Sequence, residues 1–96
     1  MLPIMDVSRW QGNIDWDKVK KSGLVSGVML RALGNSAKNA PSKPYIDPYF
    51  ARNYAECQRL GIPCGVYYYC KAVNTAEADA ELALLRKVLT GKTLQL

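Results

Sequence analysis

The carboxylate of Asp6 is the side chain with the clearest capacity for chemistry, because it ends a short apolar run. Successive side chains of an extended segment alternate, so Leu2, Ile4 and Asp6 share one face and the acid lies beside two apolar neighbours. In parallel α/β architectures, the carboxyl ends of strands line the ligand crevice. Asp6 is therefore a candidate catalytic carboxylate. The other interpretation, that it starts a turn or caps the next helix, stays open.

A basic residue and two tyrosines are expected near the ends of later strands. Arg31 is a polar residue late in the apolar run 25–32, and alternation in the run 62–70 sends Tyr67 and Tyr69 to one face and Tyr68 to the other. If the strand ends meet at one rim, Asp6, Arg31 and Tyr69 converge there. Such a set suits a sugar or an acid, although a tyrosine triplet is also common packing. It is not a complete hydrolytic site.

Three strand-helix repeats would have to hold these residues together. Apolar runs at 2–7, 25–32 and 62–70 predict strands, and an amphipathic stretch typical of a helix follows each of them. This order predicts an α/β fold with parallel strands and right-handed crossovers. The residues expected to begin and end the helices are Asp15 and Gly23, Asp47 and Gly61, and Asn74 and Gly91.

Two further segments carry weaker signals. The range 33–46 is rich in Gly, Asn, Ser, Lys and Pro, and it is either a substrate-facing loop or a solvated excursion. The range 92–96 is expected to lead into another strand.

Composition limits the class of protein. The 96 residues are 49% hydrophobic and 22% charged, which is typical of one small globular domain. No run approaches the roughly 18 apolar residues of a membrane span, and no signal peptide is recognised in this chain. The net charge of +5 favours an anionic partner such as nucleic acid, acidic lipid or a cell-wall polymer. Because the basic residues are scattered, no nucleic-acid site is expected.

Metal and cofactor sites are not expected either. Cys57, Cys64 and Cys70 form no C-x-x-C pair, and the chain has no histidine to complete a zinc set. The cysteines are expected to be small buried hydrophobic residues, and the possibility of one disulfide stays open. No glycine-rich phosphate loop follows a predicted strand, which argues against nucleotide binding.

Several ordered segments resemble the glycoside hydrolase family 25 lysozymes. The segments 6–16, 30–34, 47–53 and 61–72 are similar, in order, to the family's first strand and loop, the end of its second strand, the start of its second helix and its third strand. Arg9 stands where the family commonly has histidine, as does Tyr68. The resemblance covers essentially the whole chain, 1–96, as the N-terminal half of the catalytic domain.

The resemblance implies a partial (β/α) barrel of three βα units that lacks the C-terminal half. It implies an N-acetylmuramidase that cuts the β-1,4 bond between N-acetylmuramic acid and N-acetylglucosamine in bacterial peptidoglycan, outside the cell or in its wall. Asp6 matches an active-site aspartate, while Arg31, Tyr67 and Tyr69 would bind substrate. The family's acid is the Glu of an Asp-x-Glu motif after the fourth strand, and the sequence stops before that position. The chain alone is therefore expected to be a poor enzyme.

Two alternatives to a working enzyme remain. One is a non-catalytic saccharide-binding fragment, and the other is a half-barrel that self-assembles. Three strands with helices on one side would leave Ile4, Met29 and Tyr67 in water. We therefore expect pairing with a second copy or with the missing half-barrel.

Overall fold

A computed structural model describes residues 3–38 and 41–96, so Leu2 of the predicted first strand lies outside the described residues. The described chain forms one sheet and three α-helices, with a 3₁₀ turn at Arg9–Gln11 after the first strand. The elements are β1 (Ile4–Val7), α1 (Trp16–Ser22), β2 (Gly27–Asn35), β3 (Pro44–Ile46), α2 (Phe50–Leu60), β4 (Cys64–Tyr68) and α3 (Thr75–Leu89).

The sheet is built around β2, which pairs in parallel with β1 along one edge and with β4 along the other. The far end of β2 extends past β1 and pairs with β3, which runs antiparallel. The prediction of parallel strands is therefore right for β1, β2 and β4, whereas the antiparallel strand β3 lies in the range 33–46, where no strand was predicted. The range 33–46 is correspondingly not an irregular loop, since Leu33, Gly34 and Asn35 pair with β3.

Two of the three predicted helix starts are confirmed. The Asp15 side chain accepts a hydrogen bond from the Lys18 amide, and the Asn74 side chain accepts one from the Glu77 amide. Asp47 is the exception, because Tyr49 occupies the N-cap position of α2 without a side-chain bond. The carboxylate of Asp47 is instead buried against Arg31, and the helix begins only after it.

The core lies between the sheet and the helices. Trp16 is buried, and its indole N–H donates to Asn53 Oδ1 over 3.1 Å. The apolar spacing of Ala78, Leu82, Leu85 and Leu89 predicts the inner face of α3, and this prediction is wrong in one respect. Leu82 is 38% exposed, whereas Glu81 is fully buried. The Glu81 carboxylate on this face accepts hydrogen bonds from Ser42, Asn35 and the Lys71 amide. The buried apolar side chains are Val7, Trp16, Val28, Leu30, Ala32, Leu33, Phe50, Cys57, Ile62, Cys64 and Val88.

The three cysteines have different environments. Cys57 and Cys64 are buried, as expected, but Cys70 is exposed because it follows the end of β4. All three thiols are free. The range 92–96 forms no strand, although the amides of Gln95 and Leu96 donate to the Cys64 carbonyl over 2.9 and 3.2 Å.

The face of the sheet opposite the helices is partly open. Ile4 is 54% exposed, and Met29 and Tyr67 are half-buried. None of the described helices is long and apolar enough to cross a bilayer.

Candidate active site

Strand register places three of the predicted site residues on one face of the sheet. Asp6 pairs with Met29 across β1 and β2, and Arg31 pairs with Tyr67 across β2 and β4. Partners in parallel register point the same way, and residues two apart on a strand share a face. Asp6, Arg31 and Tyr67 therefore share the face that the helices leave open.

Asp6 carries a carboxylate that nothing nearby neutralises. The residue is exposed, and within 3–38 and 41–96 its side chain makes no hydrogen bond or ion pair. Its charge nevertheless reaches Tyr67. Burial raises the pKa of the Tyr67 hydroxyl above 10.0, the charge of Arg31 opposes this rise, and the charge of Asp6 adds to it. Asp6 is thus free to act on a bound molecule.

Arg31 is only 3% exposed and is tied to neighbours on two sides. Its Nε donates to Asp47 Oδ2 over 2.9 Å, and its Nη2 donates to the Tyr45 hydroxyl over 3.3 Å. Burial alone would lower the pKa of Arg31, but the hydrogen bond and charge of Asp47 outweigh it and raise the pKa. The guanidinium is therefore a fixed cation with a set orientation.

Asp47 organises the surrounding backbone as well. Besides Arg31, its Oδ2 accepts the Arg9 amide over 3.0 Å, and its Oδ1 accepts the Tyr49 amide over 2.9 Å. One buried carboxylate thus fixes the turn after β1, the end of β2 and the start of α2 relative to each other.

Cations and aromatic rings alternate along the rim formed by the strand ends. The Arg9 guanidinium carbon lies 4.8 Å from the Trp10 ring centre and 5.3 Å from that of Tyr45. Arg31 lies 5.8 Å from the Tyr45 ring centre and 5.3 Å from that of Tyr69. Such contacts stabilise planar stacking of guanidinium on aromatic faces. We call this set the cation–aromatic ribbon; its members are Trp10, Arg9, Tyr45, Arg31 and Tyr69.

The ribbon offers several ring surfaces to solvent. Trp10 is 72% exposed and Tyr69 is 51% exposed, and Tyr67 meets Tyr69 edge to face with ring centres 6.5 Å apart. Aromatic faces flanked by hydrogen-bond donors can stack on and orient sugar rings. Tyr68 points the other way and packs against the core, as predicted.

The position of the Tyr45 ring depends on a glycine. Gly34, its partner across β2 and β3, leaves the space in which the ring lies, and a Cβ atom there would collide with the ring. Any larger residue at 34 would push Tyr45 away from both arginines.

Helix α3 holds the hairpin that carries Tyr45. The buried Glu81 carboxylate accepts hydrogen bonds through Oε2 from the Ser42 hydroxyl, from Asn35 Nδ2 and from the Lys71 amide. Its Oε1 has no partner among the described residues. Burial would raise the pKa of Glu81, but the hydrogen bonds that it accepts, first of all from the Ser42 hydroxyl, lower it overall. Glu81 therefore works as an anionic anchor for the hairpin.

Four of the predicted site residues thus meet at one rim, but the setting of Arg31 differs from expectation. Asp6 is free, Tyr67 and Tyr69 lie beside each other, and Arg31 is held inside by Asp47 and Tyr45. Sequence reasoning missed Asp47 and Tyr45 as site residues because their partner lies on a different element. Within the described ranges, no group of three or more His, Cys, Asp or Glu could hold a metal ion.

Residues 5–94 match the family model of glycosyl hydrolases family 25. The chain belongs to this family. The resemblance inferred from its sequence is thereby confirmed.

Individual relatives of this family 25 chain agree with that assignment. It is 35% identical over 80 residues to YegX of Escherichia coli K12, described as uncharacterized, which covers 83% of this chain and 28% of YegX. It is 32% identical over 78 residues to Lysozyme M1 of Streptomyces globisporus, which covers 78% of this chain and 24% of the lysozyme. The chain thus spans about a quarter of the length of these curated relatives.

A solved structure with a peptidoglycan ligand is also similar. The modular autolysin LytC from Streptococcus pneumoniae, in complex with a synthetic peptidoglycan ligand, superimposes with a TM-score of 0.79 at 35% identity. The match covers 96% of this family 25 chain and 20% of LytC. The mixed α/β fold is therefore that of family 25 domains.

Proposed function

We propose that this chain carries part of a muramidase site, which cuts the β-1,4 bond between N-acetylmuramic acid and N-acetylglucosamine in bacterial peptidoglycan. Membership of family 25 supports a glycosidase, and the peptidoglycan ligand of the similar LytC structure supports the substrate. The observation that carries the proposal is the free carboxylate of Asp6 at the end of β1, facing a rim of aromatic rings.

Asp6 would serve as one of the two groups that glycosidic cleavage needs. One carboxylic acid protonates the leaving oxygen, and a second group stabilises or traps the oxocarbenium-like centre. Asp6 suits the second role, because it is exposed and unpaired. Asp47 and Glu81 do not suit the first, because hydrogen bonds from neighbouring residues hold their oxygens inside the fold. We therefore propose that the chain alone is a poor catalyst.

Arg31, Tyr67 and Tyr69 would bind the sugar chain. The fixed guanidinium of Arg31 orients Tyr45 and Tyr69, whose rings can stack on sugar faces, while Tyr67 lies on the same face of the sheet as Asp6. In the full protein these residues would line part of a (β/α) barrel, acting on the wall outside the cell.

A non-catalytic saccharide-binding role is the second candidate. The cation–aromatic ribbon is complete within the described residues, whereas a free acid to partner Asp6 is not evident among them. A site with binding residues but without a second acid is expected to bind a saccharide and not to cleave it.

The test combines two measurements on purified insoluble peptidoglycan: retention of the chain and release of new reducing ends. The variants are Asp6→Asn and Asp79→Asn, the latter a matched exposed carboxylate on α3. Cleavage that Asp6→Asn abolishes and Asp79→Asn preserves would support the role of Asp6 and would contradict the proposal that the chain alone is a poor catalyst. Retention without cleavage would support the binding role. If the chain is neither retained nor able to cleave, both the muramidase proposal and the binding proposal are contradicted.

A further inference from the structure

Arg9 is a cation without a counter-ion at an exposed position of the rim. Within residues 3–38 and 41–96 no carboxylate lies within ion-pair distance of its guanidinium, whereas Arg31 and Arg59 are both paired. The backbone of Arg9 is fixed, since its amide donates to Asp47 and its carbonyl accepts the Gly12 amide over 2.9 Å. The position of its backbone is thus determined by the fold.

The side chain of Arg9 is ordered by rings rather than by an anion. The guanidinium lies against both Trp10 and Tyr45, at 4.8 and 5.3 Å from their centres. A guanidinium whose rotamer is already restricted loses less entropy when it binds a partner, and its planar donors match an oxyanion in two-point contact. The ring contacts therefore prepare Arg9 for a carboxylate or a phosphate.

We propose that Arg9, held between Trp10 and Tyr45, binds an oxyanion substituent of the cell-wall glycan whose sugar rings lie along the cation–aromatic ribbon. This inference rests on the proposed function, because it assumes a wall glycan at the rim. The oxyanion is either a carboxylate, on an unsubstituted muramic acid side chain or on an attached peptide, or a phosphodiester of an attached wall polymer. Both present the same charged oxygens to a guanidinium.

The test is retention of the chain on three preparations of insoluble peptidoglycan. One is intact wall, the second has its carboxyl groups amidated, and the third has been stripped of phosphodiester polymers with hydrofluoric acid. The variant is Arg9→Gln, whose flat amide can still stack on the rings. The matched control is Arg86→Gln, which removes the same charge from an exposed site on α3. Circular dichroism checks that both variants fold.

On intact wall we expect Arg9→Gln to raise the Kd about tenfold, the loss of one charge-assisted contact, and Arg86→Gln to change it less than about twofold. On the wall that lacks the bound anion, the Kd of Arg9→Gln divided by the Kd of the unsubstituted chain falls to about one. If the difference in Kd disappears on the amidated wall, the bound anion is a carboxylate. If it disappears on the stripped wall, the bound anion is a phosphodiester.

Two results would overturn the inference while leaving the proposed function intact. One is an equal effect of Arg9→Gln and Arg86→Gln on intact wall, and the other is a tenfold ratio that survives both treatments. Absence of retention for the unsubstituted chain on every wall would overturn the proposed function and this inference together.

Discussion

Asp47 determines what Arg31 can do at the rim. A buried guanidinium without a counter-ion is costly, so the pair positions the cation and keeps it charged.

The sequence could predict that Asp6, Arg31 and Tyr67 share one face of the sheet, because alternation along a strand is a local property. The Arg31–Asp47 and Arg31–Tyr45 contacts could not, because they join residues 16 and 14 positions apart whose proximity depends on how β3 pairs.

Replacing Asp47 should therefore have a large effect. We expect Asp47→Asn to reduce the free energy of unfolding by about 3–5 kcal/mol, since it leaves a buried cation uncompensated. Urea denaturation measures this. The matched control is Asp17→Asn, which removes an exposed ion pair with Arg59 and should cost less than about 1 kcal/mol. Equal losses for the two variants would show that the Arg31–Asp47 pair is not buried in solution.

The buried thiol of Cys57 should make stability fall at alkaline pH. Burial, with the neighbouring Cys64, raises the pKa of Cys57 from 9.0 to about 12. The unfolded chain loses this proton above about pH 9 while the folded chain retains it, so the stabilisation is full below pH 9 and is lost as pH rises towards 12. Thermal melting across this range should show a shallower decline for Cys57→Ala. An unchanged slope would mean that the thiol is solvated in the folded state.

At the scale of elements, helix boundaries were more predictable than strand pairing. Asp15, Gly23 and Asn74 mark helix ends because capping is decided within a few residues. The short strand β3 escaped prediction because its pairing depends on the extension of β2, and a segment with Pro44 at its start carries little strand signal of its own. The same strand supplies Tyr45, so the error in the fold and the omission from the site have one cause.

The dependence of Tyr45 on Gly34 leads to a test of this pairing. We expect Gly34→Ala to weaken retention on peptidoglycan about as much as Tyr45→Ala does, because the new methyl group displaces the ring without touching the substrate itself. In the Tyr45→Ala background the collision is gone, so Gly34→Ala should then add little further loss. Retention measurements on the two single variants and the double variant complete the cycle. If the retention losses of the two single variants simply add in the double variant, the contact between Gly34 and the Tyr45 ring is contradicted.

At the scale of the whole molecule, apolar side chains remain exposed on the open face of the sheet. In the described structure β1 and β4 each have strand pairing on one edge only, and Ile4 on β1 is 54% exposed. Exposed sheet edges and apolar patches favour association.

We expect the chain to associate at micromolar concentration, with a sedimentation coefficient that rises with concentration. Ile4→Lys should weaken the association by placing a charge on β1. Leu24→Lys, at a residue that is 66% exposed but outside the sheet, should not. A single monomeric species at all concentrations, or equal effects of the two variants, would count against association through this face.

The hydrogen bonds of Glu81 also bear on the order in which the protein is made. All members of the cation–aromatic ribbon precede residue 70, yet the hairpin that carries Tyr45 is fastened to a carboxylate on α3. During synthesis, the residues of the rim leave the ribosome before the helix that fixes one of them. Until Glu81 emerges, Ser42 and Asn35 lack this buried acceptor. The rim is therefore translated before the carboxylate that fastens one of its members.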